Sequence, residues 1–195
     1  MIFLYFCAIL RIFFWCVMGI KRVIQDRKLA SIGSLKQRGR WRPGENSLQL
    51  VGLILCLEDV SEIKSLKRMQ TLFKGMGAVC YSCIYQKNTR IEIPDGLIDE
   101  HTVLLDRKST NWYGLVRPGL ADVFLRESFD MVLNLSKEFF FTTTCLASLS
   151  KAALKIGRYE SLQSPYCIVL EVNQDDNDKA FMVLLNSVLQ IIRFE

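Results

Sequence analysis

Residues 129–159 read FDMVLNLSKEFFFTTTCLASLSKAALKIGRY, and this stretch decides the fold. An apolar run, Met131–Leu135, is followed by a stretch of helical character that continues to Lys151. A second apolar run, Leu154–Ile156, then stops at Gly157. The order strand, helix, strand is typical of proteins built on a parallel sheet, so the stretch predicts an α/β domain.

A similar unit precedes it in the chain. Leu50–Leu57 is a continuous apolar run, as expected for a strand that is buried on both faces. Asp59 can cap the helix that follows, and Glu62 is placed to complete a capping box. Ala78–Tyr85 is the next strand. The buried face of the intervening helix should consist of Ile63, Leu66, Met69, Leu72, Phe73 and Met76.

These segments predict one three-layer α/β domain, Rossmann-like or flavodoxin-like, preceded by an N-terminal helix. The four apolar runs should be parallel strands in the order 2-1-3-4, and Thr102–Asp106 should add a short strand. Tyr166–Val172 follows a loop too short for a crossover helix, so we expect an antiparallel edge strand there. A final helix, capped within Asp175–Asp178, should have an apolar stripe made of Ala180, Val183, Leu184, Val188, Ile191 and Ile192.

The first segment, residues 1–20, is apolar from Ile2 to Ile20 except for Arg11, and its length is nearly that of a membrane span. The basic residues that follow would place the rest of the chain on the cytoplasmic side, anchored to the inner membrane through residues 2–20. A mid-bilayer arginine costs about 2.5–3.5 kcal/mol, however. An equal alternative is therefore that Met18 is the true start of the chain.

A basic helix and linker, residues 21–48, precede the α/β domain, residues 49–195. The basic side chains of this tail are Lys21, Arg22, Arg27, Lys28, Lys36, Arg38, Arg40 and Arg42. Such a tail either binds an anionic partner or is simply a solvated segment, and the composition favours neither. Apart from Trp41 it lacks the interleaved aromatic residues that stack on bases, so we expect an anionic membrane surface before nucleic acid.

No catalytic constellation emerges from the sequence. The segment after the first strand, CLEDVSE, has no glycine-rich phosphate loop, and Glu58 and Asp59 would repel a phosphate, so no cofactor is expected. His101 is the one histidine, which argues against a triad and against a histidine-based metal site. The pair Cys80 and Cys83 lies within a strand-like run, where we expect both thiols to be buried and inert.

The best candidate site follows from the topology. In open α/β sheets, ligands bind outside the carboxyl ends of the strands. Asn134, Ser136 and Lys137 lie at that end of a central strand, and Asn111 and Trp112 are expected to fold over it. The structural alternative is that Ser136 caps the next helix and that Lys137 is solvated.

Several features of the sequence carry a resemblance: a basic N-terminal helix and the segments LVGLILCLED, STNWYG, FDMVLNLSKE and CLASLSKAALKIGRY. In these features the chain resembles a family of small uncharacterised α/β proteins from Bacteroidetes-type bacteria. The resemblance covers about Met18 to Glu195 and implies a fold, a lineage and a start near Met18, but no activity. Phe129–Tyr159 is also loosely similar to the N-terminal half of heptosyltransferase-type glycosyltransferases, whose second domain the chain is too short to contain.

These observations favour a non-enzymatic α/β interaction module tethered at the cytoplasmic face of a membrane. Two alternatives stay open. The first is a domain that binds a small nucleotide-like or sugar-like ligand at the Asn134–Lys137 corner. The second is an RNA-associated protein that binds through its basic tail.

Overall fold

A computed structural model of the protein describes residues 17–32, 48–159, 164–171 and 178–194. One sheet of six parallel strands lies between helices, in the order β3-β2-β1-β4-β5-β6. The elements are α1 (17–32), β1 (Leu50–Leu57), α2 (Val60–Gly75), β2 (Val79–Gln86), β3 (Thr102–Leu105), α3 (Asp122–Leu125), β4 (Ser128–Asn134), α4 (Phe141–Leu149), β5 (Lys151–Gly157), β6 (Ile168–Val169) and α5 (Asp178–Phe194).

The predicted α/β class is confirmed. The four predicted central strands lie in the expected relative order, β2-β1-β4-β5, and the short strand at Thr102–Leu105 adds β3 at one edge. The helix after β1 also begins as predicted. Asp59 accepts a hydrogen bond from the backbone of Ser61, and the side chain of Glu62 accepts one from the backbone of Asp59, which completes the capping box.

The predicted antiparallel edge strand at Tyr166–Val172 is wrong, because β6 is parallel to β5. β6 has two residues, and they pair with Ile156 and Gly157 at the end of β5. The chain therefore runs back along β5 by only about 7 Å before it forms β6. The connection 158–167 therefore needs no crossover helix. Tyr166 fits against β5 because residue 157 is glycine, since a Cβ atom there would lie 2.4–2.7 Å from its ring.

Two hydrophobic cores flank the sheet. In β1, Leu53 and Leu55 face one core and Ile54 faces the other, as the period of two requires. The first core packs β1, β4 and β5 against α2 and α5, and the second packs the sheet against α3 and α4. Cys80 and Cys83 face opposite cores and both are buried, which confirms the burial predicted for them.

Two helices differ from expectation. The helix after β4 starts at Phe141, and its N-cap residue, Phe140, makes no side-chain capping hydrogen bond, so Ser136 does not cap it. In α5 the buried residues are Phe181, Leu185 and Leu189, whereas several members of the predicted stripe are exposed. The exposed members are Val183, Leu184 and Ile191. α5 is apolar on more than one face, so its period alone does not identify the face that packs on the sheet.

The predicted membrane segment lies mostly outside the described residues, which begin at residue 17. Within the part of the chain that the structure describes, no helix combines the length and the apolar composition needed to cross a bilayer.

Candidate functional site

The strand order reverses between β1 and β4, and ligands of open α/β folds commonly bind beyond the carboxyl ends of strands at such a point. Here the N-terminus of α2 already holds a carboxylate from its own chain. Glu62 accepts hydrogen bonds from the backbone N–H groups of Glu58 (2.6 Å) and Asp59 (3.0 Å). Burial raises the pKa of Glu62, and these two hydrogen bonds oppose that shift. An anionic ligand at this helix terminus would have to displace Glu62.

Side chains of the protein itself also fill the space between the ends of β1 and β4. The Ser136 hydroxyl accepts the backbone N–H of Cys56 at 3.1 Å and donates to Thr143 at 3.3 Å. Asn134 accepts the backbone N–H of Ser136 at 3.1 Å through its side-chain oxygen. Both side chains are buried, so the corner predicted as a ligand site is a packed joint between β1, β4 and α4.

Three hydroxyl groups extend this joint to the β5–β6 connection. The amide of Asn134 donates to the hydroxyls of Tyr166 (2.5 Å) and Tyr159 (3.4 Å), and these two hydroxyls lie 3.0 Å apart. Thr144 lies 2.6 Å from the Tyr159 hydroxyl. Burial raises the pKa of Tyr166 well above its usual value, and the neighbouring Tyr159 adds to the shift. We call Asn134, Ser136, Thr143, Thr144, Tyr159 and Tyr166 the buried polar network.

The predicted site residues therefore separate into two places. Asn134 and Ser136 belong to the buried polar network, and Lys137 is exposed beside it. Asn111 and Trp112 lie elsewhere on the same edge of the sheet, at a groove beside the end of β2. Asn111 and Trp112 thus lie together in the lining of the groove, and this lining does not include Asn134, Ser136 or Lys137.

The groove has a volume of about 1000 Å³. One wall is the inner face of α1, and the floor is the end of β2, with Tyr85 and Lys87. The segment 107–114 and residues 139–142 at the start of α4 complete the lining. Its described lining residues include Met18, Lys21, Arg22, Gln25, Asp26, Leu29, Tyr85, Lys87, Arg107, Trp112, Tyr113, Phe139, Phe140 and Phe141.

A rigid loop presents Trp112 at the groove. The Asn111 side chain accepts the backbone N–H groups of Tyr113, Gly114 and Leu115 at 3.0–3.2 Å. Gly114 has φ +99°, a conformation that favours glycine, and its carbonyl accepts the hydroxyl of a threonine in α4 at 2.7 Å. Trp112 is nevertheless 59% exposed. The loop thus fixes the backbone beneath a large aromatic side chain whose surface remains in solvent.

The groove is positively charged. Among its described lining residues there are four bases, Lys21, Arg22, Lys87 and Arg107, and one acid, Asp26. Lys87 is paired with Glu58 at 2.5 Å, and this hydrogen bond raises the pKa of Lys87. The other three bases make no ion pair with any other residue in the described ranges. Their charge is therefore available to an anion that enters the groove.

α1 is fixed to the domain by its C-terminal half. Leu29 and Ile32 are buried and pack with Phe141 and Cys145 of α4. Gln25 donates to the backbone carbonyl of Tyr113 at 2.6 Å, which ties the helix to the Trp112 loop. The N-terminal half overhangs the groove. Because of this placement, Lys21 and Arg22 line a cavity, whereas the sequence indicated only that they belong to a basic tail.

Cys80, Cys83 and His101 do not line the groove. Burial raises the pKa of Cys80 to about 11 and that of Cys83 to about 12, so neither is a ready nucleophile. His101 comes just before β3, at the amino-terminal ends of the strands, and its ring centroid lies 4.5 Å from that of Tyr81. No group of three potential metal ligands occurs among the described residues.

No curated protein and no solved structure matches the sequence. A family of unknown function, DUF6913, matches residues 24–192, which include the C-terminal half of α1 and every strand of the sheet. The match covers most of the chain and confirms the prediction of an uncharacterised family. The chain belongs to the DUF6913 family.

Proposed function

We propose that the protein is a ligand-binding domain whose groove takes a nucleoside polyphosphate, a compound with one planar ring and a chain of phosphates. The observation that carries this proposal is that one cavity is lined by an exposed tryptophan and by three bases that form no ion pair with another described residue. A planar ring can stack on Trp112, and the bases Lys21, Arg22 and Arg107 can hold phosphate oxygens.

The size of the groove supports a ligand of this class. A volume of about 1000 Å³ lies at the upper end of the range for small-molecule pockets. It accommodates a nucleoside with several phosphates more fittingly than a single small anion. Aromatic side chains on several walls, among them Tyr85 and Phe140, supply the apolar lining that such pockets usually have.

The proposal is one of binding and not of catalysis. Among the described residues that line the groove, Asp26 is the one carboxylate, and it lies exposed on α1. His101 lies at the amino-terminal ends of the strands, whereas the groove lies at their carboxyl ends. The Asn134–Lys137 corner, considered from the sequence as a ligand site, is a weaker candidate because Asn134 and Ser136 satisfy each other and their neighbours.

The test is calorimetric titration of the full chain with ATP, adenosine and inorganic tripolyphosphate. We expect ATP to bind, and we expect each fragment to bind at least about tenfold more weakly, because each makes only half of the contacts. Trp112→Ala should weaken ATP and adenosine by about tenfold and leave tripolyphosphate unchanged. Arg107→Ala should weaken ATP and tripolyphosphate, and leave adenosine unchanged.

Arg126→Ala is the matched control for Arg107→Ala, since Arg126 is exposed and paired with Asp122 away from the groove. It should not change the affinity for any of the three compounds. Absence of ATP binding, or ATP binding that neither groove variant weakens, would refute the proposal. Binding of tripolyphosphate as tight as that of ATP would assign the groove to simple polyanions instead.

A further inference from the structure

α1 has two faces, and only one of them belongs to the groove. Met18, Lys21, Arg22 and Gln25 turn toward the groove. Ile20, Val23 and Arg27 follow each other at intervals of three and four residues on the other side of the helix. Ile20 is 56% exposed and Val23 is 50% exposed. We call Ile20, Val23 and Arg27 the outer stripe of α1.

We propose that the outer stripe of α1 lies flat on an anionic membrane surface. This inference is independent of the ligand proposed for the groove. Contact with a membrane is not needed to hold α1 in place, since Leu29 and Ile32 already fix the helix to the domain. The helix would lie in the interface with its apolar stripe among the acyl chains and its bases near the headgroups.

Charge and sequence continuity identify the partner as a membrane. The charged residues of α1 that do not line the groove, Arg27 and Lys28, are both basic, which suits an anionic lipid surface. The residues that lead into the stripe, 2–16, are apolar except for Arg11. A protein partner would require no such continuation, whereas a bilayer interface accepts an apolar segment directly beside the stripe.

The stripe differs from the other exposed apolar helix face in this respect. α5 exposes Val183 (64%) and Ile191 (58%), which is as much apolar surface as α1 exposes at the stripe. Within the described part of α5, however, the residues around that face are mostly uncharged. α5 is therefore the matched control, with similar hydrophobicity and, one turn before Val183, a single base, Lys179.

The experiment is co-sedimentation of the full chain with vesicles of phosphatidylcholine, with and without phosphatidylserine. The wild type should bind vesicles that contain phosphatidylserine. Ile20→Glu/Val23→Glu should reduce that binding by about tenfold or more, because two apolar side chains become charged at the interface. Val183→Glu/Ile191→Glu should leave binding unchanged. Arg27→Glu should weaken binding only to vesicles that contain phosphatidylserine, by several-fold.

Folding of each variant is checked by its urea midpoint, which should match the wild type because every altered side chain is exposed. Undiminished binding of the Ile20→Glu/Val23→Glu variant would overturn the proposal and leave residues 2–16 as the attachment. Equal loss in the α5 variant, or no binding of the wild type, would overturn it as well.

Discussion

The buried polar network and the groove lie on the same edge of the same sheet, yet they use their polar groups in opposite ways. In the network, Asn134 and Ser136 form hydrogen bonds with each other and with Cys56, Thr143 and the tyrosine hydroxyls. In the groove, the internal hydrogen bonds hold the backbone around Asn111, and the side chain of Trp112 stays exposed. Position at the carboxyl edge is therefore not sufficient for a binding site.

The difference lies in what covers each place. The network is closed by Tyr159 and Tyr166 from the β5–β6 connection, which pack there because Gly157 leaves room for the Tyr166 ring. The N-terminal half of α1 lines the groove, and Trp112 stays exposed there. A polar group that is already satisfied in a buried site gains little from a ligand, whereas an exposed base or ring still can.

The largest effect should come from closing the space beside β5. Gly157→Ala places a methyl group within 2.4–2.7 Å of the Tyr166 ring, and that ring is held in place by Asn134. We expect the free energy of unfolding, measured in urea, to fall by about 3 kcal/mol. Gly96→Ala is the control, because no atom lies within 4 Å of its added carbon. A cost below that of Gly96→Ala would show that the network is loosely packed.

A smaller loss should follow from removing the centre of the network. Asn134→Ala leaves the tyrosine hydroxyls and the Ser136 backbone without a buried partner. The free energy of unfolding should fall by about 2 kcal/mol. Asn88→Ala removes an exposed side-chain hydrogen bond and should cost less than about 0.5 kcal/mol. Equal costs for the two variants would mean that water already reaches the network.

Thiol labelling can compare local opening in the two regions. Cys145 lies under α1, and Cys56 lies beside the network. Burial raises the pKa of both thiols, that of Cys145 to about 12, so labelling near neutral pH should be slow. Leu29→Ala loosens α1 and should speed the labelling of Cys145 by about tenfold, with Cys56 unchanged. Parallel acceleration of both thiols would indicate global unfolding and no separate motion of α1.

The smallest effect on stability should come from the groove itself. Trp112→Ala removes a side chain that is 59% exposed and that contacts Tyr113 edge-on at 5.5 Å between ring centroids. We expect the free energy of unfolding to stay within about 0.5 kcal/mol of the wild type. A loss comparable to that of Asn134→Ala would make Trp112 a structural residue and weaken its assignment to ligand binding.

The sequence predicted the central sheet because its strands are long and apolar, and it predicted α2 because Asp59 and Glu62 form a recognisable cap. It missed the direction of β6, since a two-residue strand carries almost no periodic signal. Asn111 and Trp112 were expected to fold over the Asn134–Lys137 corner, and the structure places them at the groove instead. Lys21, Arg22 and Arg107 were not predicted as groove residues, because only the tertiary placement of α1 brings them to one cavity.

The most direct test of the difference between these regions is to map ATP onto the protein by amide chemical-shift changes in the full chain. Our account predicts that the largest shifts occur at the Trp112 loop, at Lys87 and at Arg107, and that the amides of Cys56, Asn134 and Ser136 stay in place. Shifts concentrated at Asn134–Lys137 and at the start of α2 would contradict the account, because they would show that a ligand opens the network and displaces Glu62.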